Sequence, residues 1–214
     1  MTRAVVGAGT ATGTAAGTAT GTPRLSAEKR REAVLDAACS YFSRTSYRGA
    51  TTVEIAREAG ISEPILYRHF GSKRDLYIAC LDEAWRSFRE GSERAIAEDP
   101  DRCLGAIADA YMAKRARIRM VDLWIQSLTE ASDDALIAAA LRKQVREVHG
   151  FFADVIRDGQ ARGVIQADRD PIAEAWLFVA GGLLTTMDNR LGGLLGDDLE
   201  RVRTERRRWM LGQP

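Results

Sequence analysis

Residues 51–73 read TTVEIAREAGISEPILYRHFGSK. The run divides into two short helices around a glycine. Thr52 is placed to cap the first helix, and Val53, Ile55, Ala56 and Ala59 follow at helical spacing. Gly60 falls where the chain must turn, because glycine enters the left-handed region without a steric penalty. Ser62 is a cap for the second helix, and Pro64 lies in its first turn, where a missing N–H costs little. Leu66 then points inward beside Ile61, and Ala56 is small enough for two helices to cross closely. A small residue, a turn glycine and a buried leucine in that order are helix-turn-helix spacing.

The other face of the second helix differs. Glu63, Tyr67 and Arg68 project away from the apolar contacts, with His69 at the helix end. Ser72 caps the next helix and sets Lys73 beside N–H groups that suit a phosphate. Hydroxyl, imidazole and ammonium groups are phosphate partners that fix register without reading sequence. Spacing alone also fits a helical hairpin inside a bundle.

From about Ser26 to Trp85 the sequence resembles the DNA-binding domain of the tetracycline-repressor (TetR) family. Carrying residues are Ala33, Ala37, Phe42, Gly49, Thr51, Thr52, Ile55, Ala56, Ala59, Gly60, Ser62, Leu66, Tyr67, His69, Phe70, Ser72, Lys73 and Leu76, and the most specific run is LYRHFGSKRDL. The resemblance implies an all-α fold: an N-terminal three-helix helix-turn-helix domain over 24–75, and a helical effector-binding and dimerisation domain over 76–214. It implies a DNA-binding transcriptional regulator, a homodimeric repressor released from a palindromic double-stranded operator by a small, largely hydrophobic effector. Alternatives are a ligand-independent DNA-binding protein and an activator. Carried over residue by residue, Thr51, Thr52, Tyr67, His69 and Lys73 hold the DNA backbone. Val53, Glu63, Pro64 and Ile65 lie nearest the base edges, and Arg48 and Arg68 flank them. Family members carry Arg, Lys or Gln where this set is apolar or acidic. Glu63 can only accept, so cytosine N4 is its natural partner, while Ile65 or Val53 suits a thymine methyl.

Length and composition fit this reading. The chain has 214 residues and a net charge of +1. Residues 24–75 hold ten Lys/Arg against seven Asp/Glu, whereas the remainder to 214 holds twenty against twenty-three. Cys39, Cys80 and Cys103 are isolated, with no metal spacing, so no metal or cofactor is expected. No nucleophile–base set stands out, and His69 and His149 are the only histidines. No apolar run approaches ~18 residues, so no membrane span and a cytoplasmic location are expected. Residues 1–22 are Gly, Thr and Ala in loose alternation, a composition that reads as a disordered tail.

Outside the quoted stretch the pattern is helical throughout. A first helix spans about 26–44, and a fourth runs from Lys73 to about Glu90 with a break at Gly91. Further helices are expected near 101–118, 120–131, 134–162, 171–192 and 197–211. The resemblance implies that the middle helices enclose an effector cavity, which makes Met112, Met120, Leu123, Trp124, Ser127, Phe152 and Trp176 candidates for its lining, though aromatics and Met at helical spacing also make ordinary core. The helix over 171–192 is apolar on more than one side and needs two partners. In the TetR layout the last two helices pair with their copies, so the resemblance makes Trp176, Val179, Leu183, Met187, Leu199, Val202 and Trp209 candidates for a dimer face.

Overall fold

The computed structural model describes residues 27–212 apart from 113, and the side chains of 28–109 and 120–212. The expected tail over 1–22 lies outside the described residues. Among those described there are nine α-helices, one 3-10 turn and no strand. The helices are α1 (Ala27–Arg44), α2 (Thr52–Glu58), α3 (Glu63–His69), α4 (Lys73–Glu98), α5 (Cys103–Met112), α6 (Lys114–Glu130), α7 (Ala135–Ala161), α8 (Pro171–Arg190) and α9 (Asp198–Leu211), with the 3-10 turn at Pro100–Arg102.

Local chemistry accounts for most of the boundaries. Asp134 accepts the N–H groups of Leu136 and Ile137 at 2.9 and 3.2 Å, which starts α7. Asp170 does the same for Ile172 and Ala173, and Pro171 occupies the first position of α8. Two boundaries differ from the sequence reading. Helix α4 continues through Gly91 to Glu98. A helical glycine costs only about 1 kcal/mol, and burial of Trp85 and Phe88 in the preceding turns offsets that. The break expected near 119 is absent, because α6 runs from Lys114 through that point to Glu130. No glycine or proline lies between 106 and 130 to interrupt it.

Helix α1 packs on α2, α4 and α6, and α4 in turn packs on α5, α6 and α7. Helix α8 lies along α7. A single buried cluster joins Val34, Leu35 and Phe42 of α1 to Leu76, Tyr77 and Leu81 of α4, Leu123 of α6, Ile156 of α7 and Met210 of α9. Helix α4 therefore runs through the expected 75/76 boundary with core on both sides of it. Gly159 sits where α7 meets the following loop, and a Cβ there would lie 2.6 Å from Ile165 Cδ1. Ile165 is itself buried, so it has little room to yield. Gly159→Ala is expected to cost about 1–3 kcal/mol through overpacking, read as a lowered thermal midpoint.

Candidate nucleic-acid interface and interior cavity

Thr51, rather than Thr52, caps α2. Its Oγ1 accepts the Glu54 N–H at 3.3 Å and donates to Glu54 Oε2 at 2.7 Å. Tyr41 of α1 donates to the same carboxylate oxygen at 2.9 Å. These two hydroxyls, Thr51 first, hold the Glu54 carboxyl below its usual range. The cap therefore also ties α2 to α1. Thr52, one residue on, is free to turn inward. It is buried, and its hydroxyl donates to Glu63 Oε1 at 2.5 Å and meets the Tyr67 hydroxyl at 3.1 Å.

Between the two helices, Ile61 N–H reaches Ala56 O at 2.9 Å and Gly60 N–H reaches Arg57 O at 3.1 Å. Gly60 has φ of 68°, so the turn closes in the manner that favours glycine. Ser62 stands at the N-cap position of α3, but its side chain makes no capping bond. Leu66 is the one buried residue of α3, and Ile55 and Ala56 are buried opposite it in α2. The outward face is open: Val53 is 58% and Tyr67 46% exposed, Pro64 and Arg68 are exposed, and Glu63, Ile65 and His69 are half-buried. Ser72 accepts the Asp75 N–H at 3.0 Å and starts α4. Lys73 donates to Ala50 O at 2.9 Å and lies 4.6 Å from the centre of the Tyr47 ring. An ammonium has three donors, so Lys73 retains capacity for a further acceptor.

The end of α6 grips this three-helix unit. Arg48 donates to Glu130 Oε2 at 3.2 Å and also pairs with Asp133, and Arg74 pairs with Asp134 at 3.1 Å. Gln126 donates to Phe42 O at 2.8 Å. Tyr77, fully buried, donates to Leu123 O at 3.0 Å and meets Ser127 Oγ at 3.1 Å. Burial pushes the Tyr77 hydroxyl well above its ordinary pKa, so it stays a donor. Arg48, expected to flank the DNA contacts, is thus engaged by two carboxylates in this state.

Further along α6 a cavity of about 580 Å³ opens between α5, α6, α7, α8 and α9. Its wall includes Phe88, Ile107, Met120, Trp124, Phe152, Phe178 and Met210. Trp124 is set by its indole N–H, which donates to Gln144, and Gln144 in turn donates to Leu81 O at 2.5 Å. Helix α9 adds Arg203, Arg206 and Arg207 to the rim. Arg206 pairs with the buried Glu174 of α8 at 3.0 Å and lies 4.3 Å from the centre of the Phe178 ring.

Residues 34–80 match the family model described as bacterial regulatory proteins, tetR family. Residues 34–80 are a TetR-family DNA-binding segment. Over 78 residues it is 38% identical to the HTH-type transcriptional activator FasR of Mycolicibacterium smegmatis, a match that covers 36% of each chain. Over 184 residues it is 28% identical to the HTH-type transcriptional repressor NicS of Pseudomonas putida, covering 81% of this chain and 84% of that one. The chain thus spans only about a third of FasR but most of NicS. The fold is similar to that of regulatory protein TetR from Rhodobacter sphaeroides. The TM-score is 0.69 at 22% identity, over 85% of this chain and 98% of that one.

The TetR-type helix-turn-helix brings together Thr52, Glu63 and Tyr67 by hydrogen bonds, with Val53 exposed beside them. Of the pocket candidates, Met120, Trp124 and Phe152 line the cavity. Leu123 and Ser127 do not: they form the adjacent stripe of α6, fully buried, with Leu123 O and Ser127 Oγ bonded to Tyr77 of α4. Trp176 also lies elsewhere, 46% exposed and stacked on His149 at 4.3 Å. The Met112 side chain falls outside the described residues. Among the dimer candidates, Trp176, Leu183, Met187, Val202 and Trp209 are exposed and Val179 and Leu199 half-buried; Val179, Leu183, Leu199 and Val202 also line the cavity. Arg206, half-buried, carries no local signal for its partner thirty-two residues away, whereas Arg203 pairs with Glu200 of its own helix at 3.6 Å. Among the described residues no helix is long and apolar enough to cross a membrane, and no cluster of His, Cys, Asp and Glu could hold a metal.

Proposed function

We propose that the chain is a dimeric, ligand-responsive transcriptional repressor. Two copies of the α2–α3 unit, related by two-fold symmetry, enter successive major grooves of a palindromic operator. Thr51, His69 and Lys73 hold phosphates, and Val53, Pro64 and Ile65 approach the base edges. The exposed apolar residues of α8 and α9, Leu183, Met187, Val202 and Trp209 among them, are the surface a second copy covers.

The observation that carries the ligand part is the reach of two helices. Helix α4 begins at Lys73 in the DNA-binding unit and lines the cavity with Phe88. Helix α6 lines it with Met120 and Trp124 and ends at Glu130, which holds Arg48. An occupant of the cavity therefore acts on both supports of the recognition helix. It changes DNA affinity to the extent that it binds two arrangements of those supports differently. The mostly apolar wall suits a largely hydrophobic molecule. A ligand-independent architectural protein has a filled interior, and a cavity at Trp124 argues against it.

The test is selection of bound fragments from genomic DNA by the purified protein at stated salt, with sedimentation of the complex. The expected result is a short inverted repeat carrying two copies of the chain. Recovery of only salt-sensitive, sequence-independent binding would reject the reading. A transcription assay on the recovered promoter then separates repression from activation.

A further inference from the structure

The hydroxyl of Thr52 has one hydrogen, and the Glu63 carboxylate has none to give. Since Thr52 donates to Glu63 Oε1 at 2.5 Å, the Tyr67 hydroxyl at 3.1 Å must donate to Thr52. The proton order is therefore fixed as Tyr67 to Thr52 to Glu63. Glu63 and Tyr67 lie one turn apart on α3, and Thr52 inserts between them from the first turn of α2. Thr52 is only 8% exposed, so this hold on Glu63 is shielded from competing water. Among the described residues, Glu63 Oε2 has no hydrogen-bond partner, and the residue remains half-exposed at the start of the recognition helix. The relay leaves a carboxylate whose rotamer is set and whose remaining oxygen accepts only.

We propose that Glu63, positioned by the Thr52–Tyr67 relay, sets the base preference at one position of each half-site by demanding cytosine. This rests on the reading that α2 and α3 enter the major groove. There cytosine presents the N4 amino group, whereas guanine presents N7 and O6 acceptors and thymine an O4 acceptor. A fixed carboxylate facing those lone pairs loses its water and gains no donor, so the wrong base is penalised. Adenine offers N6 beside the N7 acceptor, which makes it second best. The same negative charge is repelled by every phosphate, so Glu63 weakens binding to all duplexes and weakens it least where N4 is present. Tyr67 and Thr52 are positioning residues in this scheme. Should Tyr67 swing its hydroxyl to a phosphate, the Thr52 bond to Glu63 is retained.

The experiment is selection from a randomised operator library by the full-length protein and its variants, with affinities measured on the selected and single-base-changed duplexes. Glu63→Ala is expected to lose the cytosine preference at one position per half-site, on the order of ten- to hundredfold. It is also expected to bind unrelated duplex more tightly than the unsubstituted chain does. Glu63→Gln is expected to move that position towards adenine, whose N6 and N7 match an amide, and a gained preference cannot come from unfolding. Thr52→Val, close in shape, is expected to blunt the same position with an unchanged thermal midpoint. Thr51→Ala, which removes the α2 cap, is expected to weaken all sequences together. An unaltered preference in both Glu63 variants would overturn the proposal while leaving DNA reading by this unit intact. An absence of any sequence preference in the unsubstituted chain would overturn both.

Discussion

Leu66→Ala is expected to abolish operator binding while most of the helical signal survives. Helix α3 has seven residues, far fewer than a helix needs to persist in water without support. Leu66 is its one buried side chain, with 0% exposure in the core formed with Ile55, Ala56 and Phe70. Truncation there removes an isopropyl group from a tight site and leaves a cavity, at about 2–5 kcal/mol. Few of those contacts can be replaced, because the rest of α3 faces outward or sideways. The measurement is fluorescence anisotropy on an operator duplex, beside circular dichroism and a thermal melt. Undiminished binding by Leu66→Ala would mean that α3 is held by something other than this contact.

The second large effect is expected at Glu174. Its carboxylate is buried and receives Arg206 from α9 at 3.0 Å, while the guanidinium also donates to Glu174 O. Burial lowers the Arg206 pKa against the support of Glu174, which marks the cation as dependent on its partner. Glu174→Ala leaves that cation against the Phe178 ring without a counter-charge. The cost is about 3 kcal/mol, at the lower end for a broken buried pair because 23% of the arginine side chain still meets solvent. Helix α9 then loses its main polar attachment to α8, and the proposed self-association through Val202 and Trp209 is expected to weaken with it. Replacing both partners, as Glu174→Leu with Arg206→Met, is expected to recover most of the loss. Thermal melts and sedimentation of the two single variants and the double variant would decide the matter. A double variant whose loss equals the sum of the two single losses would show that the pair acts independently.

Legibility in the sequence followed the reach of the signals. The α2–α3 unit was readable because a turn glycine, a small residue and a first-turn proline each carry a local backbone reason. The choice between Thr51 and Thr52 was not, since two adjacent threonines have equal claims until Glu63 and Tyr67 approach from eleven and fifteen residues away. In the cavity, the spacing of Met120 and Trp124 identified a face of α6. The neighbouring stripe of Leu123 and Ser127 has similar spacing, and only the position of Tyr77 on α4 tells the two apart. Trp176 shows the same limit, because an aromatic residue does not announce which side of its helix is covered. Glu174 and Arg206 are thirty-two residues apart, beyond any local pattern.

The buried cluster passes without a gap from Val34 of α1 to Met210 of α9. Such a core has no seam along which one part could melt ahead of another. The expected thermogram is therefore a single cooperative transition, with calorimetric and van't Hoff enthalpies in agreement. Residues 24–75 made alone would lack Leu76, Tyr77, Cys80 and Leu81, against which α1 packs. That fragment is expected to be a poorly ordered peptide rather than a miniature DNA-binding module. The same continuity means that whatever occupies the interior of the native chain also raises the temperature at which the recognition helix is lost, although the two never touch.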